Sequence, residues 1–212
     1  MQEFLTIKHN IEAELVEKKS KFIANLFYIE NQKQAEDIIK QTKKKYYDAR
    51  HNCIAYRVID GDSIIEKSSD DGEPSGTAGA PMLNILQKNN LCNILVIVTR
   101  YFGGILLGTG GLVRAYSGAT MLAIDQSEKV LKIEGIEAEV NIEYNNLELF
   151  KYYCKNKGIN ITRTQFLDVV NCKIELETAV YEELLADINT KNIKINNIKV
   201  LYEKLINKSV EK

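Results

Sequence analysis

Residues 93–99, NILVIVT, form an almost unbroken apolar and β-branched run that passes directly into RYFGGILLGTGGLVRAYSGATMLAID. A strand without a polar side is one covered on both faces. The chain must therefore place helices above and below a sheet, with this strand inside it. The glycines that follow open a helix expected over residues 112–125. Its Ala115, Ala119, Leu122 and Ala123 give a small-residue face for close packing on that sheet.

The segments before it supply the rest of such a layer. Residues 11–16 and 21–29 read as strands on either side of the charged turn EKKSK. Asn31 then offers a helix cap, and Ala35, Ile38 and Ile39 follow at helical spacing. Lys43, Lys44 and Lys45 close that helix, where cations oppose the negative end of its dipole. Residues 53–59 and 63–67 form a hairpin about Asp60-Gly61, and a helix is expected over residues 80–88. From Gly135 onward the pattern becomes β-α-β-β-α-β, the split motif of ferredoxin-like domains, with Gly158 stopping its first helix. The expectation is an α+β chain of two domains, residues 1–132 and 135–212.

Composition narrows the function classes. With 28 Lys and Arg against 29 Asp and Glu, there is no bulk attraction for nucleic acid, so any polyanion must be met by a local patch. No apolar run reaches the length of a membrane helix, and the N-terminus lacks signal-peptide character. A soluble, cytoplasmic chain without membrane contact is expected. Cys53, Cys92, Cys154 and Cys172 are scattered, and there are two histidines, so neither a disulfide framework nor a metal or other cofactor site is expected.

Four segments could carry chemistry. In the first, Asp70, Asp71 and Glu73 lie within four residues beside Gly72, in a loop ending TAG. Such a run could hold a cation, present a general base, or form an anion-binding nest; the plain alternative is a turn with capping aspartates. In the second, Arg100, Tyr101, Phe102, Gly103 and Gly104 leave the buried strand, and Gly110 and Gly111 open the helix that carries Arg114. Amides at a helix N-terminus suit an anion, with Arg100 and Arg114 as a fork; glycines for tight packing are the alternative. Neither a Walker A nor a dinucleotide fingerprint is present. The third segment is Arg50-His51, where His51 is a proton carrier or a structural histidine. The fourth is basic and aromatic, with Lys19 and Lys21 beside stacking faces such as Tyr101 and Phe102, the means by which single-stranded RNA is gripped.

KSKFIA (residues 19–24), ARHNCIAY (49–56), DDGEPSGTAGAPML (70–83) and VTRYFGGILLGTGGLVRAYSGA (98–119), in that order, resemble the IMPACT/YigZ family. The resemblance covers the N-terminal domain throughout, and the C-terminal module fits the YigZ-type branch. It implies an N-terminal α/β sandwich like the second domain of small-subunit ribosomal protein five. It also implies a C-terminal domain like the last domain of elongation factor G. Both relatives live on ribosomes, so the resemblance implies a contact with RNA or a translation component, by analogy of fold. Eukaryotic members are linked to control of translation initiation. The reading therefore favours a non-catalytic RNA- or translation-binding protein, with phosphates met by Lys19, Lys21, Arg50, Arg100 and Arg114. The alternatives are an enzyme on a small phosphorylated or carboxylated substrate, using Asp71, Glu73 and His51, or a protein-interaction adaptor.

Overall fold

The computed structural model describes residues 3–209; residues 1–2 and 210–212, the outer ends of the two expected domains, lie outside them. The chain divides into two compact units, residues 4–131 and residues 132–208. In the first, the elements run β1 (Phe4–Ile7), β2 (Ile11–Glu17), β3 (Ser20–Tyr28), α1 (Gln32–Lys45), β4 (His51–Asp60), β5 (Ser63–Ser69), α2 (Gly79–Lys88), β6 (Ile94–Tyr101) and α3 (Gly108–Gln126). A five-stranded sheet has the order β2-β3-β6-β4-β5, antiparallel at every step.

The apolar run is the central strand, β6, and its alternation divides the core. Ile94, Val96 and Val98 join Phe22, Ala24, Cys53 and Ala55 beneath α2 and α3. Leu95 and Ile97 point the other way and join Ile54, Tyr56, Val58 and Ala35 beneath α1. Fully burying a Val, Leu or Ile side chain contributes roughly 1.5–3 kcal/mol, which makes β6 the main anchor of the unit. Asn31 caps α1 by accepting from the Gln34 N–H at 2.9 Å.

Three local features differ from expectation. Residues 4–7 form β1, too short a run to announce itself. Helix α3 begins at Gly108, four residues before the expected start, because its first turn is built from glycines of low helix propensity and has no side-chain cap. The turn between β2 and β3 is two residues, Lys18 and Lys19, both with positive φ (46° and 66°). A two-residue hairpin turn of this hand requires that conformation, which non-glycine residues adopt only when held there.

In the second unit, β7 (Lys129–Ile142) runs unbroken through residues 132–135 and is followed by α4 (Leu147–Lys157), β8 (Asn160–Phe166), β9 (Val170–Glu177), α5 (Thr178–Asn189) and β10 (Asn197–Ser209). β9 pairs antiparallel with both β7 and β8, and β10 pairs with β7. Val140, Cys172, Ile174, Phe150 and Leu184 meet in its core. Gly158 ends α4 in the left-handed conformation (φ +68°), its N–H bonded to the Cys154 carbonyl. Among the described residues no helix is long and apolar enough to cross a membrane.

Candidate functional site

The acidic loop between β5 and α2 uses its three carboxylates in three different ways. Asp70 accepts from the N–H groups of Gly76 (2.8 Å), Ala78 (3.0 Å) and Gly79 (2.8 Å). It thereby ties the loop into a ring and satisfies the first amides of α2, whose own cap position is Ala78 and has no side-chain bond. Burial alone would raise the Asp70 carboxyl, but the three amides hold it below its ordinary value. Asp71 sits at φ 44°. Its Oδ2 accepts from the Asn52 N–H at 2.8 Å and its Oδ1 pairs with Lys43 Nζ at 2.6 Å. With both oxygens engaged, Asp71 is a strap on β4 and α1 rather than the general base or cation ligand that was considered.

Glu73 alone turns into the protein. Its side chain is 3% exposed, and Oε1 accepts from Arg100 Nη1 at 2.7 Å and from the Tyr116 hydroxyl at 2.8 Å. His51 Nε2 lies 3.9 Å from the same oxygen, while its Nδ1 is 2.9 Å from the Asp71 carbonyl oxygen. Arg100 is sandwiched between the Phe22 and Phe102 rings, 5.5 and 5.6 Å from their centroids. Burial pushes the Tyr116 phenol well up, so it stays a neutral donor. Cys53 donates to the Asp70 carbonyl at 3.0 Å, and burial pushes its thiol up to about 12. It is a packed thiol at neutral pH and not a nucleophile paired with His51.

Above this network lies a cleft of about 430 Å³. Its walls come from the start of β4 and from both glycine-rich segments: His51 with Glu73 and Pro74 on one side, and Phe102, Leu107 and Gly108 with Thr109 on the other. Arg50 stands at its edge, exposed. The first turn of α3 opens here without a side-chain cap, with Gly108 and Thr109 at the lining, and a helix N-terminus carries the positive end of the helix dipole. Arg100 also lines the cleft, and its Nε is buried without a hydrogen-bond partner. Phe102, 47% exposed, adds an aromatic rim.

Arg50, His51, Glu73, Arg100 and Phe102 are thus brought together. Gly103 and Gly104 make the turn behind Phe102, with the Gly103 N–H donating to Ser20 Oγ at 3.2 Å. Gly110 and Gly111 lie in the first turn of α3, and a side chain at Gly111 would meet Leu107, so that glycine serves packing. The expected fork of Arg100 and Arg114 does not form. Arg100 is buried and committed to Glu73, whereas Arg114 is exposed on α3 and absent from the cleft lining. Lys21 is paired with Glu14 at 2.6 Å, and the Tyr101 hydroxyl donates to Asp48 at 2.8 Å; neither lines the cleft. Lys19 is exposed in the hairpin turn. Tyr116 was not anticipated. Its place among Leu112, Ala119 and Ala123 on the buried face of α3 was the available signal, since a buried phenol needs a partner. Among the described residues no group of three or more His, Cys, Asp or Glu is placed to hold a metal ion.

Two family patterns match the chain: the Impact N-terminal domain over residues 18–124, and a domain of unknown function (DUF1949) over residues 140–191. The chain is similar to the IMPACT family member YvyE of Bacillus subtilis, 47% identical over 116 residues, a match spanning 55% of this chain and 53% of that one. It is 35% identical over 182 residues to the IMPACT family member YigZ of Escherichia coli, covering 84% and 89% of the two chains. A crystal structure of a hypothetical protein superposes with a TM-score of 0.59 at 32% identity, covering 92% of this chain and 97% of the other.

Proposed function

The chain belongs to the IMPACT family, and from that premise we propose that it binds RNA, or an RNA-bearing part of the translation apparatus, through the cleft between the acidic loop and α3. The observation that carries this reading is the meeting, at one 430 Å³ space, of an uncapped helix N-terminus with Arg100, whose Nε is unmatched. A phosphate placed there would be held by the amides of the first turn of α3, with Arg50 at the edge and Lys19 in the neighbouring turn. Phe102 offers its exposed face to a base. The buried Glu73 keeps Arg100 and Tyr116 in place and compensates the arginine's charge, so Arg50 supplies the net attraction. On this reading the first unit is an α/β sandwich of the ribosomal-protein-five kind. The pairing of β7 with both β9 and β10, and of β9 with β8, supports a ferredoxin-like second unit. A cytoplasmic role in regulating translation is the corresponding function.

Single-stranded RNA binding should weaken linearly with the logarithm of salt concentration. Arg50→Ala should reduce that salt slope by about 1, and Phe102→Ala should cost about 1–3 kcal/mol of affinity. Both positions are exposed enough to change without unfolding the chain. Affinity that ignores salt and both substitutions would overturn the reading.

The placement of Glu73 and His51 beside the same cleft favours one second reading: an enzyme acting on a small phosphorylated or carboxylated substrate, with His51 as proton carrier. Its test is thermal unfolding with a panel of phosphorylated and carboxylated metabolites. A ligand at 100 times its Kd stabilises by about 2.7 kcal/mol, and no shift with any of them would sink it.

A further inference from the structure

On the opposite face of the same sheet, beneath α1, lies a second space of about 470 Å³ with no part in the cleft. It is lined by Asn10, Asn25, Gln41, Thr42 and Lys45 together with the flat or apolar walls of Phe27, Ile38 and Tyr46. Its volume falls within the range of small-molecule sites, and its walls combine several polar side chains with two aromatic rings and an isoleucine. Asn25 is the decisive residue. It stands on β3, 6% exposed, and its Nδ2 is buried without a hydrogen-bond partner. Leaving a buried amide donor unmatched is costly to the fold. An alanine or valine there would have avoided that cost and extended the apolar layer formed by its neighbours on this face. Its retention, at the lining of a space large enough for a guest, points to a guest that accepts the bond.

The chemistry of the walls restricts that guest. Lys45 is the cation among the lining residues, and it is paired with Glu12 at 3.1 Å, the same carboxylate that accepts from the Tyr46 hydroxyl at 2.9 Å. The site therefore carries no net charge to select a phosphate or a carboxylate. β3 is paired along one edge with β2 and along the other with β6. It has no open edge, so a peptide cannot add to it as a strand. A planar heterocycle bearing ring carbonyl or ring nitrogen acceptors meets every condition. One of its faces would lie against Phe27, and its polar edge would meet the side-chain amides of Asn25 and Gln41, which pair well with base edges, while the Tyr46 ring, with Lys45 Nζ 4.7 Å from its centroid, closes the far wall. We propose that the space beneath α1 is a nucleobase-binding site in which Asn25 is the primary reader.

The proposal stands apart from the reading of the cleft, and the experiment separates them. The full chain, with its side-chain amides labelled with nitrogen-15, is titrated with adenosine, guanosine, cytidine and uridine, none of which carries a phosphate. The expected result is a saturable shift of the Asn25 and Gln41 side-chain amide signals with at least one nucleoside. Asn25→Leu should weaken that binding at least tenfold while leaving the protein as stable as before or more so. Gln41→Ala, at an exposed position on α1, should weaken it by a smaller factor and guards against a folding defect in the first variant. Arg50→Ala should leave it unchanged. Absence of saturation with all four nucleosides in the unmodified chain would overturn the proposal. So would binding that survives Asn25→Leu, or that Arg50→Ala abolishes, which would place the base in the cleft instead.

Discussion

Glu73 and Glu137 are both buried acids held by cations, one in each unit, yet their surroundings are not alike. Glu73 sits 27 residues from Arg100 and 43 from Tyr116, and both donate to it from inside the core. Glu137 lies on β7 and is held by Lys204 at 2.5 Å, by Lys173 at 3.6 Å and by the Tyr202 hydroxyl at 2.9 Å, with lysines that remain about a third exposed. Lys204 also pairs with Glu175. The first arrangement fixes a charge out of reach of water, beside an open cleft. The second is laid across neighbouring strands, with lysines that reach water on one side of a buried carboxylate. An acid that is buried and paired is therefore not a site by that fact alone; what matters is whether the pair adjoins a space and a second source of polarity.

Experiments can break this contrast. The largest effect is expected from Glu73→Ala, which strands Arg100 in the core and should cost about 3–5 kcal/mol in urea unfolding. Replacing both partners, Glu73→Leu with Arg100→Met, should cost much less than the sum of the two single changes. A simple sum would mean that the two groups are not coupled. Asp70→Ala comes next, at about 2 kcal/mol, because three amides lose their acceptor. Its pH dependence follows from the direction of its shift. The Asp70 carboxyl is held low in the folded chain, so its contribution is complete above the unfolded carboxylate value of about 3.9 and is lost as pH falls through the folded value. The variant should therefore show a flatter stability curve in acid. The smallest effect belongs to Glu137→Ala, about 1 kcal/mol or less and shrinking as salt is added. Glu137 too is held low, chiefly by the Lys204 hydrogen bond and despite some opposing burial, so what it contributes also disappears on acidification. A Glu137 loss as large and as salt-independent as that of Glu73 would erase the distinction.

Much of the fold could be read from local chemistry. Asn31, Lys43 to Lys45 and Gly158 mark helix ends because capping and dipole effects act within a turn of the residue concerned. The central strand was legible because burial on both faces leaves no room for polar side chains. What stayed hidden depends on distant partners. Nothing near Asp70 says that it will bind amides six to nine residues onward while Glu73, three residues away, is buried on an arginine. Arg100 reads as an anion clamp until the fold supplies its carboxylate. Asn25 carries no motif at all; it differs from a solvent-facing asparagine only through α1 closing over it.

Behind Phe102 the chain passes Gly103, where a methyl group would overlap the Lys19 carbonyl and the Ser20 nitrogen. There main chain lies directly on main chain, and no rotamer can step aside. Residue 103 is accordingly written in an alphabet of one letter. Because the next residue back is the aromatic at the lip of the cleft, the hairpin between β2 and β3 sets where that ring stands. A designer wishing to re-aim the lip would have to rebuild a turn more than eighty residues upstream.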